Sequence, residues 1–287
     1  MELTHDQEQM WVILRTEALA LAEREPVLAP LLDQVFLSTT SLLDALVVRL
    51  ASLLAATDAD EETCKRLLWE GVECDPSVSQ AAVQDLYAIH VKDPACGTHL
   101  HAFLNYKAFH AVQLHRIAHC FWNSGRHELA AWLSNRVSRT LGPDIHPAAR
   151  LGTGVMLDHG SGIVIGETAV VEDDVTILQN VTLGGTGKVA GDRHPKVRRG
   201  VMIGAGANIL GNVEIGAFSM IGAGSVVLKD VPPWCSVAGV PAQIVRLHPV
   251  NEFARGANAL GSKTQDASGP EPSQTVKHPF LLGRRRT

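Results

Sequence analysis

An aliphatic residue returns at every sixth position along the middle of this chain, and that period constrains the fold more than any other feature. The first series is Ile145, Leu151, Leu157 and Ile163. It resumes two residues out of phase at Ile165, Val171, Ile177 and Leu183, and again at Ile203, Ile209, Ile215, Ile221 and Val227. An α-helix repeats every 3.6 residues and a single strand every 2, so a sustained period of six fits neither alone. It fits a short strand, a tight turn and another short strand, with three such hexapeptides closing one triangular coil. The aliphatic side chains would then stack along the axis, and the small residues that follow them (IGAGAN, ILGNVE, IGAGSV) would take the strained corners. A two-residue slip near Ile163 and a gap from Leu183 to Ile203 interrupt the pattern. Loops that break a scaffold of this kind commonly carry function. The coil ends would expose unpaired strand edges, which the preceding segment and the VPPWC run after it can cap.

Glycine marks where this grammar begins. Only Gly71, Gly97 and Gly125 precede Leu141, out of 25 in the 287-residue chain. The glycine-poor part is rich in Leu and Ala at helical spacing and reads as six or so helices. Thr4 with Gln7 forms a capping-box pattern, Asp75 before Pro76 reads as a helix N-cap, and Gly125 closes a helical run from about Leu100 to Asn123. The segment after Val250 is polar, small and aperiodic, and reads as a flexible tail. The expected organisation is therefore α+β: helical residues 1–141, coils over 142–250 with a surface loop at about 184–200, and a tail over 251–287.

Composition excludes several classes. The most apolar stretch, Val35 to Ala56, is interrupted by Asp44 and Arg49, which argues against a membrane span. The start, MELTHDQEQM, is acidic and unlike a secretory leader, so the expected location is cytoplasmic. A formal charge of −5 offers no footprint for nucleic acid, and the one dense basic run is Arg284 to Arg286. The five cysteines are scattered, with no CxxC pair, and read neither as a disulfide framework nor as a thiolate zinc site.

The runs DIHPAARLGTGVMLDHGSGIVIGE, GDRHPKVRRGVMIGAGANILGN and VPPWCSVAGVPAQIV, with KDPA in the helical part, strongly resemble bacterial serine O-acetyltransferases, which are hexapeptide-repeat acyltransferases of cysteine biosynthesis. The resemblance spans Met10 to Arg246. It implies a left-handed parallel β-helix, a hand that the spacing itself does not reveal. It also implies trimers joined as a hexamer, acetyl-CoA as co-substrate without a metal, and feedback inhibition by L-cysteine.

Chemistry and resemblance point to the same residues. Acetyl transfer from a thioester to a hydroxyl needs a base, and imidazole is the side chain that titrates near neutral pH. Of thirteen histidines, His159 breaks the inward pattern between Asp158 and Gly160, and the resemblance makes it the base with Asp144 as its orienting carboxylate. The helical histidines His90, His99, His101, His110, His115, His119 and His127 are read as structural. Serine is a zwitterion, so its site needs a cation, which Arg193 offers as a bidentate fork, and an anion; the resemblance implies Asp93 and Asp158 as the carboxylates for the ammonium and places His194 near the hydroxyl. Asp93 before proline also reads as a plain turn former. Gly185, Thr186, Ala205 and Ala223 match positions along the pantetheine arm, and Arg246 is a candidate for the nucleotide phosphates. Lys196, Arg198 and Arg199 are read as solvated, and Cys235 as unsuited to a covalent intermediate.

Three other functions remain open on the residues alone. They are transfer to a sugar or antibiotic hydroxyl, a metal hydratase using His146, His159 and His194, and a non-catalytic scaffold. A further departure concerns the terminus. Relatives that bind O-acetylserine sulfhydrylase end in isoleucine, whereas this chain ends LLGRRRT, so Thr287 makes that partner doubtful.

Overall fold

The computed structural model describes residues 5–55, 59–188 and 190–249. The proposed cap at Thr4 and the tail 251–287 with Thr287 lie outside the described residues.

Eight α-helices come first: α1 (His5–Arg24), α2 (Ala29–Leu32), α3 (Leu42–Leu54), α4 (Glu61–Cys74), α5 (Val78–Lys92), α6 (His99–Asn105), α7 (Lys107–Asn123) and α8 (His127–Leu141). Local chemistry sets several starts. Ser41 accepts from the Asp44 N–H, Asp60 from Thr63 N–H and Thr98 from His101 N–H, each satisfying an otherwise orphaned donor of a first turn. Two expected boundaries shift. Asp75 does not cap α5; its Oδ1 accepts from both the backbone N–H and the hydroxyl of Ser77 in a local turn, and the helix begins at Val78. The run from Leu100 to Asn123 is two helices broken at Tyr106, whose extended backbone is both the end of α6 and the start of α7. Gly125 follows with φ +79, as a helix-terminating glycine does. One reading is corrected outright: Cys74 and Cys120 form a disulfide, because the ends of α4 and α7 lie side by side although 46 residues separate the two in sequence.

From Asp144 the chain winds into three parallel sheets. The first stacks β1 (Asp144–Ile145), β4 (Val164–Ile165), β7 (Thr182–Gly184), β10 (Asn208–Leu210) and β13 (Val226–Val227). The second stacks β2 (Arg150–Leu151), β5 (Val170–Val171), β8 (Lys196–Val197) and β11 (Glu214–Ile215). The third stacks β3 (Met156–Leu157), β6 (Thr176–Ile177), β9 (Met202–Ile203), β12 (Met220–Ile221) and β14 (Cys235–Gly239), closed by the antiparallel β15 (Ala242–Leu247). Apart from the closing β14–β15 pair, consecutive strands therefore do not pair, and each lies on the one a full coil later. Ile165 pairs with Leu183, Ile177 with Ile203 and Ile209 with Val227, so the six-residue series is the buried axial column. The apparent gap hides one member. Val197 sits in register between Val171 and Ile215, fully buried, and only the segment before it leaves the coil.

The helices cover the open end of the first coil. Coil N–H groups donate toward the following coil, as Asp144 does to Ile163 and Arg150 to Ala169, which leaves the first coil's carbonyls facing the helices. Several find donors there: Ser134 Oγ reaches Ile145 O at 2.6 Å, His119 Nδ1 Pro147 O at 2.8 Å and His115 Nε2 Ala149 O at 3.1 Å. Lys92 Nζ bonds Gly154 O at 2.9 Å and Asp174 O at 2.8 Å, and burial lowers its pKa. Asp85, 1% exposed, ties the joint by accepting from Arg116 at 2.8 Å, Gln113 at 2.7 Å and the Val155 N–H at 3.0 Å. Ala108 and Val112 of α7 enter the coil's own apolar cluster, and Met156 of β3 enters the helical one. Residues up to His248 accordingly form one compact unit. No helix among the described residues is long and apolar enough to cross a membrane.

Candidate active site

The two-residue slip is the corner between β3 and β4, and it carries Asp158 and His159. His159 adopts φ +56 there, and Gly160 and Gly162 follow at +75 and +69. A Cβ on Gly160 would lie 2.7 Å from Ala108 Cβ, so the turn packs directly on α7 and turns the His159 ring outward, 73% exposed. Its Nε2 is 3.7 Å from Asp158 Oδ1. A cleft of about 330 Å³ opens here, lined among others by Asp93, Tyr106, Lys107, Asp158 and His159. Asp93 has both of the characters read from its sequence context. Its Oδ1 accepts from the Ala95 N–H at 2.8 Å as a turn former does, while Oδ2 takes the Tyr106 hydroxyl at 2.5 Å beside the cleft.

Arg193 and His194 stand at a different corner, just before β8 where the chain returns from the excursion after β7, against the turn between β4 and β5 that carries Glu167 and Thr168. Arg193 pairs with Glu167 at 2.5 Å and also donates to Gly191 O, and the guanidinium holds the Glu167 carboxyl below its ordinary pKa. The His194 ring lies against Gly166 so closely that a Cβ there would be 2.1 Å from ring atoms. Burial, then the Arg193 charge, lowers the His194 pKa. Asp144 faces a groove of about 350 Å³ with His146, Val164 and Gly166. No hydrogen bond joins Asp144 to His159. The two are near in backbone only, through Pro143, whose ring would be 3.2 Å from a Cβ on Gly160.

The positions matched to the pantetheine arm divide in the same way. Ala205 and Ala223 stack one coil apart at the edge that carries His159, and Gly204 just before Ala205 has no room for a side chain, its Cβ falling 2.6 Å from Ala223 N. Gly185 and Thr186 follow β7 at the Arg193 edge, with the Arg193 side chain 3.5 Å from a Cβ at Gly185. Arg246 lies in the exposed strand β15.

The loop charges read as solvated are paired instead. Arg198 bridges Glu172 at 2.7 Å and Glu214 at 2.5 Å, Arg199 meets Asp174 at 2.8 Å, and Lys196 meets Asp192 at 2.6 Å. Coil register accounts for the Arg198–Glu172 contact: Val170 lies opposite Lys196, so residues 26 apart become neighbours, whereas Lys196 and Asp192 are only four apart in the chain. The same offset brings Glu167 to Arg193 and Thr168 to His194, two contacts that sequence reasoning missed. Counting that register across the loop would have found both.

Relatives with the same layout are known. Residues 10–114 match the family described as serine acetyltransferase, N-terminal, and residues 194–229 match the bacterial transferase hexapeptide repeat. The serine acetyltransferase of Salmonella typhimurium is 51% identical over 238 residues, covering 83% of this chain and 87% of that one. The crystal structure of serine acetyltransferase from Brucella abortus in complex with coenzyme A superposes with a TM-score of 0.82 at 46% identity, covering 83% of this chain and 96% of that one. A serine acetyltransferase structure in complex with cysteine gives 0.82 at 48% identity, covering 84% and 100%. Fold and site together define a hexapeptide-repeat acyltransferase built on a left-handed parallel β-helix behind a helical region. Within that class, the chain belongs to the serine acetyltransferase family.

Proposed function

We propose that this protein transfers the acetyl group of acetyl-CoA to the hydroxyl of L-serine, giving O-acetylserine and free CoA in cysteine biosynthesis. The observation that carries the reading is the charge layout. The cleft at one edge of the coil presents two carboxylates, Asp158 of the coil and Asp93 after α5, with an imidazole, and the other edge a guanidinium, paired with Glu167, beside a second imidazole. A neutral sugar hydroxyl would need neither the carboxylate pair nor the cation, whereas an amino acid needs both.

In this reading Asp93 and Asp158 hold the ammonium, Arg193 the carboxylate, and His159 takes the hydroxyl proton as the oxygen attacks the thioester carbonyl. Collapse of the tetrahedral intermediate expels the CoA thiolate, and the imidazolium returns the proton to sulfur. No covalent enzyme intermediate forms. Asp144 orients the second nitrogen of His159, which requires the exposed ring to turn from its present position. Gly185, Thr186, Ala205 and Ala223 border the pantetheine arm.

The two edges are separate corners of one triangular prism, and serine is too small to span them. The reading therefore requires a homo-oligomer in which the His159 edge of one protomer meets the Arg193 edge of the next. A trimer or a dimer of trimers supplies that contact. L-Cysteine carries the same ammonium and carboxylate and would occupy the same place as a feedback inhibitor. Arg193→Ala is expected to weaken serine and cysteine together, read from KM and Ki; loss of one alone would mean separate sites. We place the reaction in the cytoplasm, where acetyl-CoA is available.

The direct test is thiol release from acetyl-CoA with serine, homoserine, threonine and simple sugars as acceptors. Preference for serine is expected, and preference for a sugar would refute the reading.

A further inference from the structure

Thr168 makes an unusual set of contacts with the Arg193–His194 segment. Its Oγ1 accepts from the Arg193 N–H at 3.0 Å and from the His194 N–H at 3.1 Å, and lies 2.9 Å from His194 Nδ1. A hydroxyl has two lone pairs and one hydrogen. Both lone pairs are taken by groups that can only donate, so the hydroxyl is left to donate its hydrogen, with His194 Nδ1 at 2.9 Å and the Asp192 carboxylate as the acceptors beside it. The Thr168 backbone N–H, which also can only donate, points at the same Nδ1 from 3.1 Å. The backbone donor requires an unprotonated Nδ1 to receive it, and a hydroxyl whose lone pairs are both taken lies 2.9 Å from the same nitrogen with no room to accept from it. The neutral ring then carries its proton on Nε2, and among the described residues nothing accepts from that nitrogen.

Sterics fix the ring as firmly as the hydrogen bonds. It rests on the backbone of Gly166, where any side chain would overlap Cδ2 and Nε2, and it is 7% exposed. The charged and titratable groups around it are Arg193, Glu167, Lys196 and His146, and with burial they act on balance against a second ring proton.

We propose that Thr168 is a positioning residue that locks His194 as its neutral Nε2–H form, so that His194 enters acetyl transfer as a hydrogen-bond donor and not as a second base. The inference rests on the reading that Arg193 and His194 face the acceptor. A fixed N–H suits charge that grows on oxygen as the tetrahedral intermediate forms, because a donor already aimed costs no reorganisation at that moment. It also gives the two histidines different work: His159, exposed and free to turn, moves the proton, while His194 holds one still.

The test has two arms on the full-length enzyme. Neutron diffraction from deuterated crystals is expected to show the ring hydrogen of His194 on Nε2 and none on Nδ1; a hydrogen on Nδ1 would overturn the lock. In the second arm Thr168→Val, which keeps the shape and removes the hydroxyl with the contacts it makes to Arg193 N–H, His194 N–H and Nδ1, is expected to lower kcat/KM for serine at least about tenfold with KM for acetyl-CoA unchanged. Thr168→Ser, which keeps the hydroxyl, is expected to restore it. Equal loss in both variants would mean that Thr168 acts only by packing, and would overturn its positioning role. An Nε2–H ring together with full activity in Thr168→Val and His194→Ala would leave the lock standing and contradict the reading of this face as part of the site.

Discussion

His159 occupies a backbone conformation that β-branched residues avoid and that asparagine, aspartate and histidine visit more readily. It shares this with Asp174, Asn180, Phe218 and Trp234, all at coil corners with positive φ. Two of these corners are packed on each other. Phe218 stacks on Trp234 with ring centroids 4.4 Å apart. His159 has no such packing, and the strained corner serves to hold an imidazole out into the cleft. Replacing His159 by alanine is expected to cut turnover by about 10² to 10⁴ while acetyl-CoA still binds, the range for loss of a general base. Steady-state rates beside calorimetric acetyl-CoA binding check this, and near-native turnover would remove His159 from the mechanism. The residue was legible because it breaks a period. Thr168 and Glu167 were not, because nothing local distinguishes a threonine or glutamate in a coil turn until the residues 26 positions later are laid against them.

Among the elements, the coils were the most legible and the joint between coils and helices the least. Six-residue spacing follows from an axis that only aliphatic side chains fill, so the pattern shows in the sequence, and even the slip near Ile163 located a real corner. Val197 escaped because the excursion before it destroyed the count. Helix boundaries were legible where a side chain caps its own first turn and obscure where the helix breaks at Tyr106, since leucine and alanine spacing continues across that break. The partners of His115, His119 and Asp85 lie on elements that pack together only after folding. Asp85→Ala tests that joint. It strips Arg116 of a buried carboxylate and Val155 of its acceptor, and is expected to destabilise the protein by on the order of 3 to 5 kcal/mol. Chemical denaturation followed by circular dichroism measures the change; a loss below about 1 kcal/mol, typical of an exposed ion pair, would mean that the joint tolerates water.

On the scale of the whole molecule, the helical region and the coils have distinct tasks joined by α7. Its first turn lines the His159 cleft with Lys107, its middle fills the coil core with Ala108 and Val112, and its later turns hold the coil's first carbonyls through His115 and His119. In the proposed reading, one protomer offers only half a serine site at each edge. The central claim, acetyl transfer at a site completed by a neighbour, is tested most directly by complementation. Subunits carrying His159→Ala and subunits carrying Arg193→Ala are coexpressed with different tags, mixed oligomers are isolated by purification on both, and serine-dependent thiol release is measured. Each mixed trimer has about one of its three sites with both residues intact. The account predicts activity near one third of the unaltered enzyme from two parents that are each nearly inactive, and a mixture no more active than its parents would contradict it.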